Sequence, residues 1–141
     1  HYADLVECLP YDDAVYMLKV AGTQLERMLR HILRDEAFQG EHTEFYQFSH
    51  GLRMVWSRSE GQFRELTLDG EPLHPDRLYS VAVQKYHYNN LKDFLNISLE
   101  EAEQNGKVRV LSTSARDVIE EYLTVNQHLS RIVEGRLVVE P

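Results

Sequence analysis

The sequence predicts a single α+β domain with helices packed outside mixed, mostly antiparallel sheets. Amphipathic helical stretches alternate with β-rich runs along the 141 residues, and most β-rich runs come in pairs joined by short turns, as in hairpins. No internal repeat, low-complexity segment or linker interrupts the chain. A chain of this length buries a core without disulfides or a structural metal, so residues 1–141 are predicted to form one domain.

The first half of the chain supplies the clearest helix. Thr23 and Glu26 have the spacing of a capping box, and apolar residues recur behind them at helical spacing from Leu25 to Leu33, which predicts a helix from Thr23 to about Ala37. The other elements predicted here are a short helix over Tyr2–Leu9, a strand over Ala14–Val20, and a hairpin formed by Phe45–Ser57 and Gln62–Leu68.

The second half repeats the mixture of strands and helices. Leu78–Lys85 has the composition of a strand, and Ser98 with Glu101 forms a second capping box at the start of a helix. The remaining predictions are a strand over Lys107–Leu111, a helix that begins at Ser114 with Asp117 in its first turn, and a closing β-hairpin over Leu129–Val139.

Charge excludes one class of partner. The 15 basic and 23 acidic residues give a net charge of −8, and no basic run offers the concentrated positive face that a nucleic acid polymer requires. No apolar run approaches the roughly 20 residues of a membrane-spanning helix. We therefore expect neither nucleic acid binding nor membrane insertion.

Motifs for catalysis or metal binding are missing from the sequence. The seven histidines show no metal-ligand spacing such as H-E-x-x-H, and no nucleophile elbow or phosphate-binding glycine loop occurs. The pair Asp12–Asp13 could serve as a metal or acid/base pair, but its composition favours a turn with solvated side chains. No catalytic residue, metal site or cofactor is predicted within this chain.

Aromatic residues cluster where two predicted strands end. Phe45, Tyr46 and Phe48 precede the first strand of the predicted hairpin, and Tyr86 and Tyr88 follow Leu78–Lys85. Such rings can sandwich a flat ligand, with a gain of about 1–3 kcal/mol per stacked base. Packing in the core or at its rim is the alternative interpretation of the same rings.

The order of several short motifs resembles the C-terminal, substrate-binding domain of the family that contains 5′-nucleotidases, UDP-sugar hydrolases and 2′,3′-cyclic phosphodiesterases. The resemblance covers nearly the whole chain, and its specificity lies in the order of the motifs. They are the turn Leu9–Asp13, the helix start Val20–Leu25, the aromatic segment Tyr46–Arg53, and the stretches Gly70–Leu73 and Tyr79–Ala82.

The resemblance implies a layered α/β/β/α fold and a nucleotide or nucleoside as ligand. In that family the base is held between two aromatic rings, which by position are Phe48, with Phe45 as the fallback, and Tyr86. By the same resemblance, His50 and Asn89 are candidates to contact the edge of the base.

The resemblance further implies that hydrolysis takes place elsewhere. Two divalent metal ions are expected in a separate N-terminal metallophosphatase domain, because the D-x-H and N-H-D/E ligand motifs of the family are absent from this sequence. The parent protein is expected to be a hydrolase of nucleotide catabolism, and this domain alone is not. Relatives suggest an extracytoplasmic or cell-surface location, and a cytoplasmic one stays open.

One departure from the family pattern keeps a second function open. Asn89–Phe94 stands where the family carries the glycine turn N-G-G-D-G-F/Y, so side chains occupy positions where backbone would approach a ligand. The alternative is a non-catalytic interaction or docking module of the same fold that binds no nucleotide.

Overall fold

The computed structural model describes residues 1–39 and 46–141 and has the predicted α+β class. The helices are α1 (Tyr2–Cys8), α2 (Gly22–Ile32), α3 (Lys85–Asn89), α4 (Leu91–Leu95), α5 (Leu99–Gln104) and α6 (Ala115–Val125), with a 3-10 turn at Asp35–Phe38. The strands are β1 (Val15–Ala21), β2 (Leu52–Ser57), β3 (Gln62–Leu68), β4 (Glu71–Pro72), β5 (Leu78–Gln84), β6 (Arg109–Ser112) and β7 (Leu137–Glu140).

The first sheet has three strands in the order β5-β1-β6, all antiparallel. Leu18 and Val20 on the central strand are fully buried, while Lys19 between them is exposed. This alternation places one face of β1 against the core, as the period of two in a strand requires. β5 pairs with β1 along its whole length, so its position is fixed along that edge.

The second sheet has four strands in the order β4-β3-β2-β7. The predicted β2–β3 hairpin is confirmed, but its first strand begins at Leu52, and Tyr46–Ser49 forms no strand. Met54 and Trp56 on β2 are buried, and β7 pairs with β2 in the parallel sense. The sheets are therefore mixed and mostly antiparallel, as predicted.

The predicted closing hairpin over Leu129–Val139 is wrong. Leu129–Ile132 forms no strand, and only Leu137–Glu140 extends as β7. The Met54 N–H donates to the Arg136 carbonyl oxygen at 2.7 Å at the start of the β2–β7 pair. β7 covers the edge of β2 that β3 leaves open, so the backbone groups of this mostly buried strand are paired on both edges.

Helix α2 joins the two sheets in one core. Met28, Leu29 and Ile32 of α2 are buried in the same cluster as residues of both sheets. The predicted capping box at Thr23 and Glu26 is wrong, because the helix begins one residue earlier and the Ala21 N–H donates to Gln24 Oε1 at 2.8 Å. The helix ends at Ile32 rather than near Ala37, and the 3-10 turn follows.

The two predicted helix starts in the second half are confirmed. The Ser98 hydroxyl accepts the Glu101 N–H at 3.1 Å, and the Glu101 carboxylate accepts the Ser98 N–H at 2.9 Å. The Ser114 hydroxyl likewise accepts the Asp117 N–H at 2.9 Å. Tyr86 lies just past the end of β5, as predicted, because the strand stops at Gln84, and the chain turns there directly into α3.

Candidate functional site

An open cavity of about 690 Å³ lies between α2, β5 and the segment Tyr46–Ser49. Its apolar walls come from one face of α2 and from β5, and Leu52 and Leu68 close it on the side of the second sheet. The described lining residues include no Lys, Arg, Asp or Glu, and the polar groups are few, among them Gln47, Ser49 and Ser80. A cavity of this size and composition suits the uncharged, flat part of a small ligand rather than its phosphate.

Phe48 lines this cavity and is half-buried against the core. Its carbonyl oxygen accepts a hydrogen bond from the guanidinium of Arg136, just before β7. Arg136 Nε in turn donates to Glu134 Oε2 at 2.8 Å. Arg136, which leads into β7, therefore ties the main chain of Phe48 to the segment that pairs with β2.

Four rings from three chain segments form a continuous cluster beside the cavity, and we call it the aromatic cluster: Tyr46, Tyr86, His87 and Phe94. The ring centroid of His87 lies 5.4 Å from that of Tyr46, 5.6 Å from that of Tyr86 and 5.4 Å from that of Phe94. Tyr86 and Phe94 are 5.3 Å apart. Edge-to-face and tilted contacts at these distances are favourable, so each ring in the cluster restricts its neighbours.

Of the two rings predicted to hold a base, one lies in the described cavity wall. Phe48 belongs to the cavity wall together with Tyr46 and His87, whereas Tyr86 is not among the described lining residues. The Tyr86 side chain is 50% exposed and contacts the cavity through its neighbour His87. Phe45, the fallback, lies outside the described residues.

The two polar candidates lie away from the described cavity wall. His50 is 85% exposed in its side chain, and its Nδ1 is 3.1 Å from Glu134 Oε2. The guanidinium of Arg136 and, less strongly, the His50 ring lower the pKa of the Glu134 carboxyl. Asn89 is exposed at the end of α3. Within the described chain, neither side chain lines the cavity.

Two further rings line the cavity: Tyr46, which the sequence places in the aromatic run but not in the clamp, and His87, which sequence reasoning did not select. The histidines show no metal-ligand spacing in the sequence, so His87 did not stand out there, and the fold is what places its ring 5.4 Å from Phe94. Tyr88 has a different role, because its ring stacks on Tyr16 at 4.3 Å and burial raises the pKa of its hydroxyl. The aromatic residues of α3 thus divide between the aromatic cluster and the first sheet.

Tyr11 is a further ring that sequence reasoning did not select. The residue is 85% exposed, so its ring is open to solvent. Two residues later, the Asp13 carboxylate accepts the Tyr86 N–H at 3.2 Å. Tyr11 and Tyr86 therefore belong to neighbouring segments, and both expose their rings.

No metal centre accompanies these groups within the described residues. No set of three or more His, Cys, Asp or Glu side chains there is placed to hold a metal ion. Among the same residues, no helix has the length and apolar character needed to cross a membrane.

A comparison with protein families matches residues 1–97 to the model of the 5′-nucleotidase, C-terminal domain. The chain belongs to this family. A search of curated proteins found no match.

Solved structures show that the fold of the 5′-nucleotidase C-terminal domain extends through the whole chain. The 5′-nucleotidase precursor from Thermus thermophilus superposes with a TM-score of 0.78 at 19% identity, over 99% of this chain and 27% of that one. The NAD nucleotidase of Haemophilus influenzae gives a TM-score of 0.79 at 14% identity, over 99% of this chain and 26% of that one. The chain therefore spans about a quarter of the length of these structures.

Proposed function

We propose that this domain binds the base or nucleoside end of a nucleotide on behalf of a metal-dependent phosphoesterase. Membership of the 5′-nucleotidase C-terminal domain family supports a role in substrate binding. The observation that carries the proposal is the cavity of about 690 Å³, whose described wall is apolar, uncharged and aromatic on one side. Ligand cavities of small molecules have this size, with walls that are mostly apolar and a few placed polar groups.

The ring clamp is proposed to consist of Phe48 and Tyr86. Phe48 offers its ring in the cavity wall, and Tyr86 is half exposed at the edge of the aromatic cluster, next to His87. Stacking on such rings contributes about 1–3 kcal/mol per base. Phe45 is the fallback for the first ring, and His50 and Asn89 are the proposed contacts of the base edge.

The chemistry is proposed to reside in an N-terminal metallophosphatase domain of the same parent chain. Two divalent metal ions there would polarise the phosphoryl oxygen and supply a hydroxide nucleophile. This domain would hold the base while the phosphate reaches the metals, and a change in domain orientation would bring the two together. The absence of Lys and Arg from the described cavity wall fits this division, because the phosphate would be bound elsewhere.

A titration with adenosine, AMP and UDP-glucose, followed by NMR chemical shifts, tests the proposal. We expect saturable binding, weakened roughly 5- to 150-fold by Phe48→Ala and by Tyr86→Ala, because each removes one stacking surface. Tyr122→Ala is a matched control, since Tyr122 is an exposed ring on α6. A wild-type domain that shows no saturable shift at millimolar ligand would contradict nucleotide binding by this domain.

A further variant, Tyr11→Ala, locates the ligand. If adenosine binding depends on Tyr11 and Tyr86 but not on Phe48, the base lies on the exposed side of α3 rather than in the cavity. If it depends on Phe48 and Tyr86 alone, the base enters the cavity beside His87.

A docking function is the second candidate, and the surface around α6 favours it. Val118, Tyr122 and Val125 of α6 are exposed, and Val133 in the segment that follows is 99% exposed. Clustered exposed apolar residues mark surfaces that contact a partner. The same titration separates the candidates, because a domain that serves only for docking binds no adenosine.

A further inference from the structure

The turn at Asp12–Asp13, predicted to carry solvated side chains, is tied to two helices from distant parts of the chain. The Asp12 carboxylate accepts the Ser114 hydroxyl at 2.8 Å and the Arg116 N–H at 3.1 Å, at the start of α6. The Asp13 carboxylate accepts the Tyr86 N–H at 3.2 Å, at the start of α3. Each of the two neighbouring carboxylates therefore accepts an N–H from the first turn of a different helix.

Helix α3 depends on this outside acceptor. It has five residues, far fewer than the ~12–15 that an isolated helix needs to be even marginally stable. Its N-cap residue, Gln84, makes no side-chain capping bond, so its first N–H groups need acceptors from elsewhere. The Ala14 carbonyl oxygen accepts the Lys85 N–H at 2.8 Å, and Asp13 supplies the next acceptor from 73 residues away.

The first turn of α3 carries two adjacent members of the aromatic cluster, Tyr86 and His87. The far side of the cluster is fixed independently, since His31 Nε2 lies 2.8 Å from the Asp93 carbonyl oxygen next to Phe94. The orientation of the first turn therefore determines how His87 meets Phe94 and how it faces the cavity.

We propose that Asp13 is a positioning residue that orients Tyr86 and His87 for ligand binding. Its effect on affinity rests on the proposed function, whereas its effect on α3 does not. Asp13 touches no ligand in this proposal: it acts through the Tyr86 main chain, and its negative charge is favourable at the start of a helix.

Hydrogen exchange and NMR of the chain test the positioning role directly. In Asp13→Ala we expect the Tyr86 amide to exchange about tenfold faster, because a charge-assisted hydrogen bond is lost, and the His87 ring protons to shift. Adenosine should bind about tenfold more weakly. Asp13→Asn keeps an acceptor oxygen and should recover part of all three effects, which a general loss of stability would not.

The control variant is Asp76→Ala, which removes the same charge at an exposed position in the connection before β5. It should leave the Tyr86 exchange rate and the His87 shifts at wild-type values. If Asp13→Ala does not fold, the comparison of Asp13→Asn with the wild-type protein provides the test.

The outcomes separate this inference from the proposed function. Unchanged Tyr86 exchange and His87 shifts in both Asp13 variants would overturn the positioning role. Changed signals in a domain whose wild-type form binds no adenosine would support the positioning of α3 and refute nucleotide binding. Equal adenosine affinity of wild-type and Asp13→Ala proteins would refute the link between the two.

Discussion

At Gly22 the backbone of another segment lies so close that no side chain fits. Gly22 begins α2 where the connection before β5 passes, and its N–H donates to the Arg77 carbonyl oxygen at 3.0 Å. A Cβ atom at this position would lie 2.1 Å from the carbonyl oxygen of His74. The neighbouring N–H of His74 donates to the Tyr79 hydroxyl at 2.8 Å, so the connection is held in place. Only a residue without a side chain fits.

We expect Gly22→Ala to lower the free energy of unfolding by about 1–3 kcal/mol, because the backbone of the connection must shift to admit the methyl group. The midpoint of urea denaturation measures this loss. Thr23→Ala, at the next and exposed position of the same helix, should change the midpoint little. Equal midpoints for Gly22→Ala and the wild-type protein would show that the connection moves freely.

At the scale of elements, α5 combines a local cap with a tertiary ion pair. Glu101 accepts the Ser98 N–H within the capping box, and its carboxylate also lies 2.6 Å from Arg27 on α2. The Ser98 N–H, followed by the Arg27 guanidinium, holds the pKa of the Glu101 carboxyl below its ordinary value of 4.5. The charged form of Glu101 is therefore favoured in the folded state.

The stability of the domain is expected to fall on acidification partly through Glu101. A carboxyl with a lowered pKa in the folded state contributes stability that is present above its unfolded pKa and is lost as the pH falls through its folded pKa. Glu101→Gln removes this titration but keeps an acceptor for the Ser98 N–H. Urea midpoints from about pH 6 to about pH 3 should decline more steeply for the wild-type protein than for Glu101→Gln. Parallel declines would mean that Glu101 does not couple folding to pH.

Two other elements gain their positions from partners rather than from their own residues. β7 pairs with β2 although its neighbours in sequence offer a hairpin turn at Glu134–Gly135. α3 forms although it has only five residues. β7 forms because the edge of β2 offers it hydrogen-bond partners, and α3 forms because Asp13 accepts an N–H of its first turn. The local sequence is compatible with each element but does not specify it.

At the scale of the whole molecule, α2 is the link between the two sheets. The core cluster unites Met28 and Leu29 of α2 with Leu18 of the first sheet and Met54 of the second. The cavity opens beside this cluster, where α2 and β5 face Tyr46–Ser49. The candidate site therefore depends on how the two sheets meet rather than on a motif.

In a protein that joins this domain to a metallophosphatase domain, metal removal is expected to affect hydrolysis but not adenosine binding. We expect a chelator to abolish phosphoester hydrolysis, because the metals polarise the phosphoryl oxygen and generate the nucleophile. Adenosine binding to the present domain should be unchanged, since no described group of residues here is placed to hold a metal. Phosphate release and the NMR titration, each with and without EDTA, measure the two properties. Adenosine affinity that falls in EDTA would place a metal in this domain.

The features that could be predicted from the sequence alone depend on residues close together in the chain or on the order of short motifs along it. The Ser98–Glu101 capping box joins residues three apart, the apolar stripe of α2 follows a helical period, and the order of motifs along the chain indicated the family. Each of these signals is contained in short stretches of sequence.

Which distant residues meet became clear only from the folded chain. The Tyr86 N–H reaches Asp13 across 73 residues, and Arg136 reaches the Phe48 carbonyl across 88. These contacts follow from the pairing of strands and the packing of α2. The sequence pattern of a strand does not show which distant strand it will pair with. For this reason the sequence indicated an aromatic ligand site, whereas the placement of Phe48 in the cavity wall and of Tyr86 beside Phe94 came from the fold.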